Sequence, residues 1–322
     1  MGRKKKTQPA VLVGKKEIEE RLLRMMFGYT DKLNKSQGFD IRGYEGISPI
    51  LVAHICDRDG PCCDLVLLYA RMGLHRYNLV QGKHLQLSSV KMYNRSVSRS
   101  YFITLEAKDP ASDPVTLQTF QAKVNEVNTK DRSTDGPATD GPATLKTTNG
   151  FLLTCTVARR LGDTSISIPA IDLQRNHCNG KHLSYFMPEL PPKNPFEDDS
   201  KRFHVLKESE LQDNDDWVRL YVELAVAKPY TREEQGLDNL KILKVAMDSE
   251  RYLSEGLGAN DATFYIRYED SCEARVGKDV DRVAVVRRML DEHSQVLRLV
   301  GRHQSITPSS NAMEAGSSSA QD

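Results

Sequence analysis

LLYARMGLHRYN (Leu67–Asn78), SYFITLEAK (Ser100–Lys108) and VTLQTFQAKV (Val115–Val124) decide the fold. In the first stretch Leu67, Tyr69, Ala70, Leu74 and Tyr77 recur at three- and four-residue spacing, so one face of a helix is apolar. In the second, Phe102, Thr104 and Glu106 alternate with Tyr101, Ile103, Leu105 and Ala107. That two-residue period, rich in aromatic and β-branched side chains, predicts a strand. Two Asp-Pro pairs, Asp109-Pro110 and Asp113-Pro114, supply the turn into the return strand. A helix and a hairpin that share an apolar face form an α+β seed.

Composition sets the bounds. A chain of 322 residues holds one large or two modest domains. Hydrophobic content of 39% with 28% charged residues fits a soluble globular protein. The formal net charge of +1 provides no global field toward nucleic acid or a membrane. No apolar run approaches the ~20 residues that cross a bilayer. The start, Met-Gly-Arg-Lys-Lys-Lys, lacks the apolar core of a secretory signal, so an intracellular, reducing compartment is the default. The six cysteines are too scattered for a disulfide framework.

Residues 1–15 are basic and without periodicity. Arg3, Lys4, Lys5 and Lys6 read either as a nuclear import signal or as a solvated start. A helix is predicted over 16–36, where Ile18, Leu22, Met25 and Tyr29 fall four, three and four apart, an a/d seam. The seam covers little more than two heptads, short of a coiled coil. It either docks on its own domain or takes a partner helix. The body spans 45–275, with Ile50–Cys56 and Phe151–Arg160 as further strands and a disordered loop at 129–149. That loop contains Thr134–Ala143, a five-residue unit written twice. Pro188–Phe196 is an extended connection. Ser209–Asp216 reads as a polar turn, and Trp217–Ala227, Leu240–Met247 and Ala262–Tyr268 as three antiparallel strands extending the first sheet. Val283, Val286, Leu290, Leu297 and Val300 predict a C-terminal amphipathic helix over 278–303, ahead of a disordered tail at 304–322.

No chemical constellation emerges. Gly256-Leu257-Gly258 sits between strands and is a turn, not a phosphate loop. His54, Cys56, Cys62 and Cys63, like His177, Cys178 and His182, lack the paired spacing of a zinc site. Cys155 lies inside a strand, the place of a small buried residue. Glu208, Glu210, Asp213, Asp215 and Asp216 lack the glycine and closing glutamate of a calcium loop. Tyr265 and Arg267 share a strand face, but one such strand does not make a surface for single-stranded nucleic acid. The residues therefore predict no catalytic, cofactor-binding or metal-binding set, and no enzyme.

YARMGLHRYN, SYFITLEAKDP and TFQAKV resemble the plant cystatin pattern of a helix followed by paired strands. The implied fold is a cystatin-like helix packed on an extended antiparallel sheet, here with amphipathic helices at both ends of the chain. The inhibitory hairpin of cystatins would fall at Asn94–Ser98, where its glutamine and glycine are missing. The Pro-Trp of the second hairpin is missing after Val124. A second resemblance is longer. KRFHVLKESELQDNDDWVRLYVELAVA, NLKILKVAM and NDATFYIRYED, with YFITLEAKDP and FLLTCTVAR, are similar to a plant-specific crucifer family named for a male-sterility protein. It covers about residues 60–270. The resemblance implies a non-enzymatic nuclear protein required for male fertility in early meiotic prophase. Its expected partners are proteins, of the chromosome-axis or cohesion kind, or a second copy through the N-terminal helix. A cystatin-type cysteine protease inhibitor and a nucleic-acid-binding module are the alternatives.

Overall fold

The computed structural model describes residues 10–42, 51–57, 60–112, 116–127, 150–163, 187–197, 202–227, 236–278 and 280–306. After α1 (Ala10–Ser36), the first half runs β1 (Leu51–Ile55), α2 (Asp64–Gln81), β2 (Gln86–Ser96), β3 (Ser100–Lys108), β4 (Leu117–Glu126) and β5 (Gly150–Arg160). The second half runs β6 (Phe203–Val205), α3 (Glu208–Val226), β7 (Leu240–Asp248), α4 (Ser249–Glu255), β8 (Asp261–Asp270), α5 (Glu273–Val276), β9 (Asp281–Leu290) and β10 (Leu297–Ser305). The described strands form one sheet in the order β1-β2-β3-β4-β5-β10-β9-β8-β7-β6. Every neighbouring pair is antiparallel. The fold is α+β.

Apart from the short α4 and α5, each half is strand, helix, four strands. The halves meet at β5 and β10, where Leu153 stands opposite Leu299. The order is a palindrome about that seam, as a two-fold axis normal to the sheet would generate. α2 and α3 therefore lie on one face. Tyr69, Met72 and Leu74 of α2 and Val218, Tyr221 and Val222 of α3 share a core with Ile103 and Leu105 of β3 and Phe264 and Ile266 of β8. The other face is covered in two places. Tyr29 and Leu33 of α1, with Phe39 and Ile41, pack on Leu51, Phe102 and Val157. Phe196 and Leu190 pack on Phe203, Tyr265, Val283 and Val285.

Local rules place α2 closely. Gly82 ends it in a left-handed conformation, φ 57°, with its N–H on the Asn78 carbonyl. The Asn78 amide then holds Leu85 from both sides, donating to its carbonyl at 2.9 Å and accepting its N–H at 3.1 Å. Gly73 sets the depth of packing: a Cβ there would lie 2.3 Å from the Ala122 Cβ on β4.

Three expectations are corrected. Residues 278–303 are not a helix but β9, a turn and β10. β9 is buried on both faces, Ala284 and Val286 toward the helices and Val283 and Val285 away from them. An apolar run covered on both sides satisfies three- and four-residue spacing as readily as two. The turn is fixed by the Asp291 carboxylate, which accepts the Ser294 N–H at 2.6 Å. Second, Trp217–Ala227 is not a strand; with the supposed turn before it, it forms α3. Val218 and every residue from Leu220 to Val226 are buried. Alternation among them is therefore uninformative. The start signal lay in the polar stretch, where the Glu210 carboxylate accepts the Lys207 N–H at 2.8 Å. Third, β2 was missed. It is polar, and register shifts between Leu87 and Ser89 and between Val90 and Met92 break its alternation. The expected loop at 129–149 lies wholly outside the described residues. Of the tail, Gln304 and Ser305 belong to β10, Ile306 follows it, and 307–322 lie outside the described residues.

Candidate functional site

α1 carries the predicted partner face, and the structure divides it. Tyr29 is 3% exposed. Its hydroxyl accepts the Leu51 N–H at 3.2 Å. With Leu33 it anchors the C-terminal end of α1 to the sheet. Ile18 (61% exposed) and Leu22 (48%) continue the same stripe toward the N-terminus and remain uncovered. Leu23, Met26 and Phe27, the last 72% exposed, widen it. The a/d reading missed these three because it takes one residue per turn, whereas Leu22-Leu23 and Met26-Phe27 place two. The Met25 side chain, and all of Arg3, Lys4, Lys5 and Lys6, lie outside the described residues.

Of the first His/Cys cluster, Cys56 and Cys62 form a disulfide, and His54 stacks on Tyr93 with centroids 4.5 Å apart. His177, Cys178 and His182 lie outside the described residues. Burial pushes the Cys155 thiol up to about 11, so it stays protonated. The acidic run Glu208–Asp216 is the exposed start of α3 rather than a loop.

The second feature was not anticipated. α2 and α3 leave a cleft of about 940 Å³ beside the seam, lined among others by Arg71, His75, Lys83, Trp217 and Arg288. Trp217, which lines it, packs edge-on against two rings buried behind it. Trp217 meets Phe264 at 5.0 Å and Tyr221 at 5.1 Å between centroids. The Arg288 guanidinium lies 5.5 Å from the Trp217 centroid and 5.1 Å from that of Phe264. His75 Nε2 is 2.9 Å from the Tyr221 hydroxyl. Behind it Glu223 of α3, 5% exposed, takes ion pairs from Arg71 of α2 and, at 2.9 Å, from Arg219. No local motif announces this arrangement, because its members lie on α2, α3 and β9, as many as 217 residues apart.

Burial, and then the nearby Arg288, push His75 down from 6.5 to about 3. The folded state therefore holds it neutral where the unfolded chain protonates it. Stability from this site is complete above pH 6.5 and is lost as pH falls from 6.5 toward 3. The expected slope is about 1.4 kcal/mol per pH unit in that window. Urea unfolding at pH 7.5, 6 and 5 checks it. His75→Asn should remove this component of the slope, and an unchanged slope would assign the pH dependence to other groups.

Comparison with known proteins agrees with this architecture. A sequence profile for "Protein MS5" matches residues 187–299. The UPF0725 protein EMB2204 of Arabidopsis thaliana is 35% identical over 264 residues, 79% of this chain and 72% of that protein. UPF0725 protein At3g25080 of the same plant is 40% identical over 202 residues, 61% of this chain and 96% of that one. The crystal structure of MS5 from Brassica napus superposes with a TM-score of 0.51 at 24% identity, covering 76% of this chain and 100% of that one. It supports the fold. On these matches, the chain belongs to the UPF0725 family of MS5-like proteins, a male-sterility protein family.

Proposed function

We propose that this protein serves male fertility as a non-enzymatic adaptor in the nucleus, acting in early meiotic prophase by holding a helical segment of a partner protein against α1. The observation that carries the contact is the uncovered stripe Ile18, Leu22 and Met26, on a helix whose other end is anchored to the sheet. Exposed apolar residues clustered on one element mark an interaction surface, and spacings of three and four suit helix against helix. Family membership supports the male-fertility setting. The strand–helix–four-strand order of each half supports a cystatin-like reading of the fold.

The stripe favours a partner protein over a second copy. Among the described side chains the open apolar stretch runs from Ile18 to Phe27, less than two heptads, and isolated helical pairing of that length is marginal. A partner that brings its own folded surface supplies the rest.

Leu22→Asp combined with Met26→Asp tests this. Both side chains are exposed, so Tm should move by less than about 2 °C. Proximity labelling in developing anthers should lose the meiotic chromosome proteins recovered by the unchanged chain. An identical set of labelled proteins would remove α1 from the account. A dimer seen by light scattering and abolished by the double substitution would replace the partner with a second copy.

A further inference from the structure

The cleft between α2 and α3 contains a charge that its surroundings do not neutralise. Arg288 is 1% exposed. Its Nε donates to the Ala259 carbonyl at 3.1 Å, and its Nη2 to the carbonyls of Leu257 and Ala259 at 2.6 and 2.7 Å. These acceptors are all neutral. Among the described residues no carboxylate pairs with Arg288. Its neighbour Arg287, on the other sheet face, is held by both oxygens of Asp261. A buried guanidinium is ordinarily paired, because desolvation costs it more than neutral acceptors return.

The groups around Arg288 do not supply the missing anion. The Tyr221 hydroxyl lies 2.9 Å from His75 Nε2, and burial holds that imidazole neutral, so neither group brings a negative charge. Glu223 is committed to Arg71 and Arg219. Asp213 and Asp216 line the cleft, and Asp216 accepts a hydrogen bond from Gln86 at 3.3 Å. With Glu223 these make three carboxylates against Arg71, Lys83, Arg219 and Arg288, a balance of one positive charge. The volume, about 940 Å³, is at the upper end of the roughly 300–1,000 Å³ of small-molecule sites. Trp217 offers an aromatic surface in the lining.

We propose that the α2–α3 cleft is a binding site for a small organic anion of about nucleotide size, with its phosphate or carboxylate drawn to Arg288 and a flat ring lying against Trp217. The ligand supplies the charge that the fold withholds. Lys83 on the exposed rim draws it in. The site is independent of the α1 surface, since its residues lie on the opposite face of the sheet.

The protein carries its own reporter, because Trp217 is its one tryptophan. The full chain is titrated with AMP, inorganic phosphate and benzoate, and AMP is compared with uncharged adenosine, following tryptophan fluorescence at low salt. A saturable change is expected with at least one anion. If it is AMP, adenosine should bind at least tenfold more weakly. A response to AMP and phosphate but not benzoate assigns a phosphate ligand, and the converse a carboxylate. Arg288→Met should weaken binding tenfold or more. If that variant does not fold, Lys83→Glu, on the exposed rim, should weaken it several-fold, with the difference shrinking as salt rises. Leu22→Asp should leave the titration unchanged. No saturable response to any of the three anions, or equal binding of AMP and adenosine, would overturn the proposal.

Discussion

Glu223→Ala is expected to destabilise the protein by about 3–5 kcal/mol, the usual cost of removing one member of a buried ion pair. Glu223 is 5% exposed and is the common acceptor for Arg71 on α2 and Arg219 on α3. Arg71 also donates to the Asp216 carbonyl at 3.0 Å, and Arg219 to the carbonyls of Leu237 and Leu240 at 3.3 and 3.4 Å. Alanine leaves both guanidiniums facing each other with only neutral acceptors. The damage should fall on the contact between the two helices and so on the junction of the two halves. Urea unfolding followed by far-UV circular dichroism measures it. Glu223→Gln keeps the shape and loses the charge, so it should cost less than alanine. Removing all three charges together with Arg71→Met, Arg219→Met and Glu223→Leu should recover much of the loss, because the desolvation penalty goes with the charges. A triple variant weaker than Glu223→Ala would show that the hydrogen bonds, not the charges, hold the helices.

Phe264→Ala is expected to cost about 3–5 kcal/mol, in the range for deleting a fully buried phenyl ring. Phe264 is 0% exposed. It lies edge-on to Trp217 and Tyr221 and beneath the Arg288 guanidinium. Alanine opens a cavity under α3 and strips one ring from a cation already short of counter-charge. Phe264→Leu, which conserves much of the volume, should cost no more than about 1.5 kcal/mol. The midpoint of urea unfolding gives the loss. The emission of Trp217 reports whether the cavity fills with water: a red shift in the folded state means that it does. A loss below about 1 kcal/mol would mean that α3 settles onto the sheet and closes the gap.

How much was legible in the sequence depended on whether an element had one wet face. β3 and β8 were read within a few residues, and α2 was recognised from Leu67, Ala70, Leu74 and Tyr77. β9 and the second half of α3 are covered on all sides, so their apolar residues follow no single period. Val283, Val286 and Leu290 mimicked a helix; Val218, Leu220, Val222 and Leu224 mimicked a strand. The better guides were short polar signals. Glu210 marked a helix start, and Asp291 with Ser294 marked a turn. On α1 the stripe was found, but its division was not, since only the sheet beneath Tyr29 and Leu33 distinguishes a docked turn from an open one. The cleft was invisible because Arg71, His75, Trp217 and Arg288 are brought together by the pairing of two halves and by nothing local.

The palindromic strand order has a consequence for what can join the sheet. Both of its outer edges are the first strand of a half: β1, five residues long, and β6, three. A chain adding itself to an edge gains main-chain hydrogen bonds in proportion to the length on offer, and short edge strands are one way proteins discourage such additions. The long strands, nine to eleven residues each, are all interior and paired on both sides. Because the two halves meet at their last strands, β5 and β10, the strands that would be long open edges of either half stand in the middle of a single sheet.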